Sequence, residues 1–147
     1  MKKFFFLILI LTFFFTFVNS DDTFLSLKKD KVNVRYGPGF DYEVKYIYRK
    51  KNLPLKVIDK KDNFRKIIDI KKNNGWIHIS QLKKSKSFIV TKDKILFNKP
   101  TLFSKPIAKI QKGRLLVYKN CIKEWCNVKT DKFIGWVSTD NIWGKIR

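Results

Sequence analysis

At 147 residues, with 33 Lys and Arg against 12 Asp and Glu and a formal charge of +21, the chain is small and strongly basic. A single His and two Cys leave little for a metal centre or a catalytic relay. The basic field draws polyanions, but nearly all of it is Lys, spread evenly with no Arg cluster, which reads first as a solvated surface.

Residues 1–20 read as a secretory signal peptide. Lys2 and Lys3 form a basic start, Phe4 to Val18 is an unbroken run of apolar residues and Thr, and Val18-Asn19-Ser20 suits cleavage before Asp21. The run of 15 falls short of the roughly 20 residues of a spanning helix, so cleavage is expected over retention as an anchor. The remaining chain is then exported, to the periplasm or cell envelope. Without Lys2 and Lys3, 31 basic side chains face 12 acidic ones, a net of +19. Nucleic acid is a poor partner there. Anionic lipid, lipopolysaccharide phosphates and cell-wall carboxylates are better ones.

From Val32 onward, short aromatic and β-branched segments alternate with turn residues, the pattern of an all-β chain. Val32 to Arg35 is a strand, and Tyr36-Gly37-Pro38-Gly39 a turn in which Gly supplies positive φ and Pro fixes φ at the entry. Val44 to Tyr48 is the next strand, then Lys50-Lys51-Asn52 turns. Leu53 to Ile58 carries Pro54, which lacks a donor and so either starts the strand or puts it at an edge. Asp59 to Asn63 reads as a turn. Phe64 to Ile70 alternates, with Phe64, Lys66 and Ile68 on one face and Arg65, Ile67 and Asp69 on the other. Lys71 to Asn74 is a hairpin tip, Gly75 to Ile79 returns, and Ser80-Gln81-Leu82 is a single 3-10 turn.

The order then recurs. Phe64-Arg65-Lys66-Ile67 with Gly75-Trp76-Ile77 reappears as Trp125-Cys126-Asn127-Val128 with Gly135-Trp136-Val137, at offsets of 61 and 60 residues. Lys94 to Phe97 is a strand, and Lys99-Pro100 opens a turn region reaching to Pro106. Ile107 to Ile110 stands where Val44 to Ile47 stood, Lys112-Gly113 turns, and Leu115 to Tyr118 is a strand. Trp125 to Lys129 and Gly135 to Val137 form the last hairpin, and Thr139 to Ile142 replaces the single turn. The boundary at Lys83 to Lys86 is too short for a free linker, so the units, residues 22–84 and 86–147, should pack together. Phe88-Ile89-Val90 is expected to join one of the two sheets. Five short strands in about 60 residues close best as a small, strongly bent barrel, which removes exposed edges.

The only cysteines, Cys121 and Cys126, lie in the second unit of an exported chain, and an even count there reads as a disulfide. Their spacing suits a bridge across neighbouring strands near a hairpin turn. Units this small bury only about 60% of their unfolded surface, so such a staple helps.

Val32-Asn33-Val34-Arg35-Tyr36-Gly37-Pro38-Gly39-Phe40-Asp41-Tyr42, followed about 35 residues later by Gly75-Trp76-Ile77-His78, resembles a bacterial SH3-like (SH3b) domain. Gly37, Pro38, Gly75, Trp76, Gly135 and Trp136 are the structural motif positions of that resemblance. The second unit is similar to the degenerate copy of tandem members, with Cys121, Trp125-Cys126 and Gly135-Trp136-Val137, but Phe97-Asn98-Lys99-Pro100 lacks the Arg-x-Gly-Pro signature. The resemblance implies an all-β chain of two tandem small SH3-like β-barrels in the cell envelope. It also implies binding of cell-wall peptide or glycan, or an accessory role beside a catalytic domain, for which residues 22–147 leave no room. Any groove formed by the opening loop is then expected in the first unit alone.

The expected function is therefore a non-enzymatic periplasmic or envelope binding module, without cofactor or metal. Its partner would be peptidoglycan or an envelope protein. Aromatics on a shallow groove recognise peptides and sugars by stacking. Tyr36 and Tyr42, beside turn residues, are the surface pair, with Asp41 between them and Tyr46 and Tyr48 nearby. Arg35 reads either as a bidentate carboxylate holder or as a structural contact to backbone. Trp76 and Trp136 are expected as core anchors, and His78 as a surface or structural side chain. The alternative is a cationic surface protein that meets anionic lipid or lipopolysaccharide without a specific site, as a peripheral contact. A cell-wall hydrolase, which would rest on His78, is disfavoured.

Overall fold

The structure, a computed structural model, describes residues 23–146, so the expected signal peptide and its cleavage site lie outside the described residues. The first unit comprises β1 (Phe24–Leu27), β2 (Val32–Arg35), β3 (Val44–Tyr48), β4 (Pro54–Lys61), β5 (Phe64–Ile68), β6 (Asn74–His78), a 3-10 turn (Ile79–Gln81) and β7 (Leu82–Lys84). The second comprises β8 (Ser87–Val90), β9 (Lys94–Phe97), β10 (Pro106–Ile110), β11 (Leu115–Ile122), β12 (Trp125–Lys129), β13 (Ile134–Ser138) and β14 (Ile142–Trp143).

Each unit is one seven-stranded sheet with antiparallel neighbours, ordered β3-β2-β6-β5-β4-β1-β7 and β10-β9-β13-β12-β11-β8-β14. Adding seven to each strand of the first order produces the second, so the sequence repeat is a repeat of topology. Seven strands stand where five were expected. The additional ones are two to four residues long, and none alternates apolar with polar residues.

The central hairpins are longer than expected. β4 continues through Asp59 to Lys61, leaving only Asp62-Asn63 to turn, with Asp62 at φ 47°. β11 likewise runs past Tyr118 to Ile122 and turns at Lys123-Glu124, with Lys123 at φ 52°. A register irregularity in each, between Val57 and Asp59 and between Tyr118 and Asn120, lets the polar ends stay paired. Pro54 heads β4, whose place between β1 and β5 is internal, so the missing donor is tolerated by position at the strand start.

Each sheet wraps its own core. Leu27, Val32, Val34, Leu55, Ile67 and Ile77 fill the first, and Phe88, Val90, Leu96, Leu116, Val128 and Val137 the second. The two Trp residues of the repeated Gly-Trp pair are not core anchors. Trp76 and Trp136 are half-buried on the outer face, while Ile77 and Val137 are fully buried. Alternation decides this: Gly75 and Ile77 point inward, so the residue between them points out. The inward glycine is required by the crossing of strands. A Cβ on Gly75 would collide with Val34 where β6 meets β2, and one on Gly135 would lie 2.7 Å from the Phe97 carbonyl where β13 meets β9.

β8 carries the contact between units. All four of its residues are buried. Phe88 and Val90 face the second core, whereas Ile89 belongs to the first. A strand covered on both faces reads as a continuous apolar run rather than an alternating one. Ser26, Ser85 and Ser87 complete the boundary as a buried hydroxyl cluster, with Ser26 Oγ 2.7 Å from Ser85 Oγ and 2.8 Å from Ser87 Oγ. Ser87 Oγ donates to the Asn52 carbonyl at 2.6 Å.

Cys121 and Cys126 form a disulfide, directly opposite each other across β11 and β12 with Cα atoms 4.0 Å apart.

Candidate functional site

The loop from Tyr36 to Glu43 joins β2 to β3, and Arg35 organises it. Its Nη1 donates to the carbonyls of Phe40, at 3.2 Å, and Tyr42, at 2.7 Å, while the Tyr36 amide donates to the Glu43 carbonyl at 3.1 Å. Of the two readings of Arg35, the backbone contact is the one observed. Gly37 and Gly39 do not adopt the positive φ expected of them. They are small because the loop folds tightly: a Cβ on Gly37 would strike the Tyr42 ring, and one on Gly39 would strike Asp41 Oδ1.

This folding drives Phe40 over the outer face of the sheet. Its ring lies 5.2 Å from Phe64 and 5.0 Å from His78, and these two are 5.1 Å apart. The Arg35 guanidinium sits over the Phe40 ring at 5.6 Å. Phe64 and His78 are direct cross-strand partners on β5 and β6. A cavity of about 220 Å³ opens beside the three rings, lined by Lys31, Asn33, Arg35, Phe40, Phe64, His78 and Gln81. The Ser80 amide donates to His78 Nδ1 at 3.3 Å and caps the 3-10 turn, while the Ser80 hydroxyl lies 2.8 Å from the same nitrogen. A neutral His78 ring therefore carries its proton on Nε2. The groove thus combines aromatic faces with two cations, suited to a flat or apolar group that bears a negative charge.

Of the four residues singled out from sequence, Arg35 alone lines this cavity. Tyr36 is exposed beneath the Lys45 ammonium, 5.6 Å from its ring. Tyr42 covers Gly37, and Asp41 is exposed beside Gly39. Tyr46 and Tyr48 are half-buried, away from this cavity. Both pack against the first core, and Tyr48 donates to Asp69 Oδ2 at 3.0 Å. Burial pushes both phenols above their ordinary pKa. Phe40 and Phe64 were not singled out, and His78 was expected only as a surface or structural side chain, because neighbours along the chain do not reveal partners across strands. The available signal was that Phe64 shares a face with Lys66, opposite a return strand ending in His78.

The second unit retains a cleft at the equivalent place, contrary to expectation. Trp125 pairs with Ser138 as Phe64 pairs with His78, and Phe97 faces Trp136 as Arg35 faces Trp76. Phe97 meets Trp125 edge-on at 5.7 Å. Leu102, Glu124, Trp125, Ser138, Thr139 and Asp140 line about 590 Å³. A hydrophobic Phe97 in place of Arg35 keeps the cleft but removes the cation that tied the first loop down. Among the described residues no group of three His, Cys, Asp or Glu could hold a metal ion.

No curated protein sequence matches the chain. Among solved structures, NlpC2 from Trichomonas vaginalis is similar over 84% of this chain and 48% of its own, at 14% identity and a TM-score of 0.38. NlpC1 from the same organism covers 84% and 46%, at 12% identity and a TM-score of 0.36. The chain therefore spans about half the length of these two proteins. The bacterial SH3 domain family matches twice, over residues 28–84 and 92–144, one match in each sheet. With both copies matched and both built on one topology, the chain belongs to the bacterial SH3 domain family, whose members are binding modules.

Proposed function

We propose that this protein is a non-enzymatic binding module of the cell envelope whose first unit grips a carboxylate-bearing peptide of the cell wall. The observation that carries the reading is the ring triangle of Phe40, Phe64 and His78 beside Lys31 and Arg35. The rings offer stacking and apolar burial, and the cations favour an acidic ligand. Arg35 serves as the brace that presents Phe40. Tyr36, Asp41 and Tyr42 form the rim of the same loop. The disulfide-bearing second unit supports the first through β8.

Retention of the protein on purified peptidoglycan tests this. Phe40→Ala and His78→Ala should each weaken retention on the order of tenfold, the scale of a central aromatic contact. Tyr36→Ala and Tyr42→Ala should weaken it less. Equal retention of all variants, or no retention of the unaltered protein, overturns the reading.

A further inference from the structure

The loop between β9 and β10 is braced from within. The Lys99 amide donates to Ser104 Oγ at 2.9 Å, the Asn98 amide to the Lys105 carbonyl at 3.0 Å, and the Thr101 amide to the Lys99 carbonyl at 2.8 Å. These bonds hold Phe103 clear of the sheet, while Leu102 borders the cleft beside Trp125. Leu102 is 72% exposed and Phe103 is 99% exposed. In the first unit, Phe40 lies five residues beyond Arg35 and folds back onto Phe64 and His78. Its counterpart five residues beyond Phe97 is Leu102, so Phe103 stands where the first unit has Asp41. One copy carries an acid at this point and the other a fully solvated aromatic ring.

The loop's own stretch of chain is basic, with Glu124 and Asp140 bordering the cleft on the Leu102 side. The 30 residues from Lys94 to Lys123 hold eight Lys or Arg and no Asp or Glu. Lys94, Lys109 and Arg114 are drawn to Asp140, Asp93 and Asp131, whereas Lys99 and Lys105 are exposed and bracket the tip. A lone apolar prong between flexible ammonium groups matches a surface that is anionic outside and apolar a few ångströms below. We propose that the Leu102–Phe103 tip is a membrane contact, which inserts into the headgroup–acyl boundary of an anionic bilayer while Lys99 and Lys105 meet the lipid phosphates. The groove around Phe40 belongs to the other unit, and neither reading depends on the other.

The test is partition of the protein between buffer and vesicles, of phosphatidylcholine alone or mixed with phosphatidylglycerol. The unaltered protein should prefer the anionic vesicles, and Lys99→Ser with Lys105→Ser should reduce that preference. Phe103→Ser should lower partition on the order of tenfold, the scale of withdrawing one aromatic ring from an apolar phase. That deficit should persist at salt concentrations that screen the lysines. Phe103→Trp should keep partition and add emission quenched by brominated lipid. Undiminished binding of Phe103→Ser, no added quenching in Phe103→Trp, or no partition of the unaltered protein each overturns the proposal. Capture of an envelope protein through Phe103 without vesicle binding overturns it as well.

Discussion

Trp143 of β14 donates its indole N–H to the carbonyl of Pro54 at the head of β4, 3.1 Å away and in the other sheet. Its ring meets Phe24 edge-on at 5.3 Å, and the Lys72 ammonium lies 5.7 Å from it. With Ile89 and Leu115, Trp143 makes the second unit part of the first unit's core. The two repeats thus stabilise each other, as units of this size require. Trp143→Ala should cost about 2–3 kcal/mol, and Trp143→Phe about 1 kcal/mol for the lost hydrogen bond. Denaturant unfolding should show one cooperative transition for the native protein and a broadened or split one for Trp143→Ala.

The serine cluster at the boundary is a second link. Ser26→Ala removes hydrogen bonds to both Ser85 and Ser87 in a buried place, and should cost about 1–2 kcal/mol. Ser26→Ala combined with Ser85→Ala should cost less than the two changes summed, because they share one bond. A double-mutant cycle by chemical denaturation measures the difference.

The inward glycines should tolerate nothing larger. Gly75→Ala sets a methyl against Val34 and should cost about 1–3 kcal/mol by overpacking. Gly135→Ala should cost more, because its methyl would lie 2.7 Å from the Phe97 carbonyl, whereas at Gly75 the nearest backbone atom, the Arg35 carbonyl, is 3.0 Å away and the closer contact is a Val34 methyl. The order of the two melting temperatures checks this.

Reduction of Cys121–Cys126 should lower stability by about 2 kcal/mol, the small effect of a short closed loop. Melting with and without reductant measures it. Cys126→Ser should be worse than Cys121→Ser, since Cys126 is fully buried and Cys121 is not.

Hydrogen bonds from Ser138, then Lys94, then Asn141 hold the Asp140 carboxyl well below the ordinary carboxylate range. A group with a depressed folded-state pKa contributes stability that is present above its unfolded value and is lost as the pH falls through the folded one. The acid limb of the stability curve, below about pH 4, should therefore flatten in Asp140→Asn. At pH 7 the variant should cost about 1 kcal/mol, since Asp140 itself is largely in water. Lys94, 5% exposed in its side chain, then loses its charged partner and keeps the Ser138 hydroxyl at 3.2 Å. Urea titrations across pH 2–7 compare the two.

Strands β2, β3, β9 and β12 were legible residue for residue, because alternation and bounding turn residues agree there. β1, β7 and β14 were not, since Phe24-Leu25-Ser26-Leu27 does not alternate and the other two have three residues or fewer, and the length of β4 and β11 was hidden by polar residues that pairing alone holds in the sheet. For the site, the loop was legible through Arg35, Gly37 and Pro38, but its occupant was not. Phe40 was passed over for Tyr36 and Tyr42 because turn position says nothing about which ring lies against Phe64 and His78.

By itself, the sequence determined the all-β class, the twofold repeat and the cysteine pair, all of which rest on local pattern and spacing. Only the tertiary structure decided the rest. It turned Trp76 and Trp136 outward, brought Phe40, Phe64 and His78 together, left Phe103 in water and set Trp143 in the neighbouring core. Each of these depends on which strand lies beside which and in what register. A shift of one residue reverses every face.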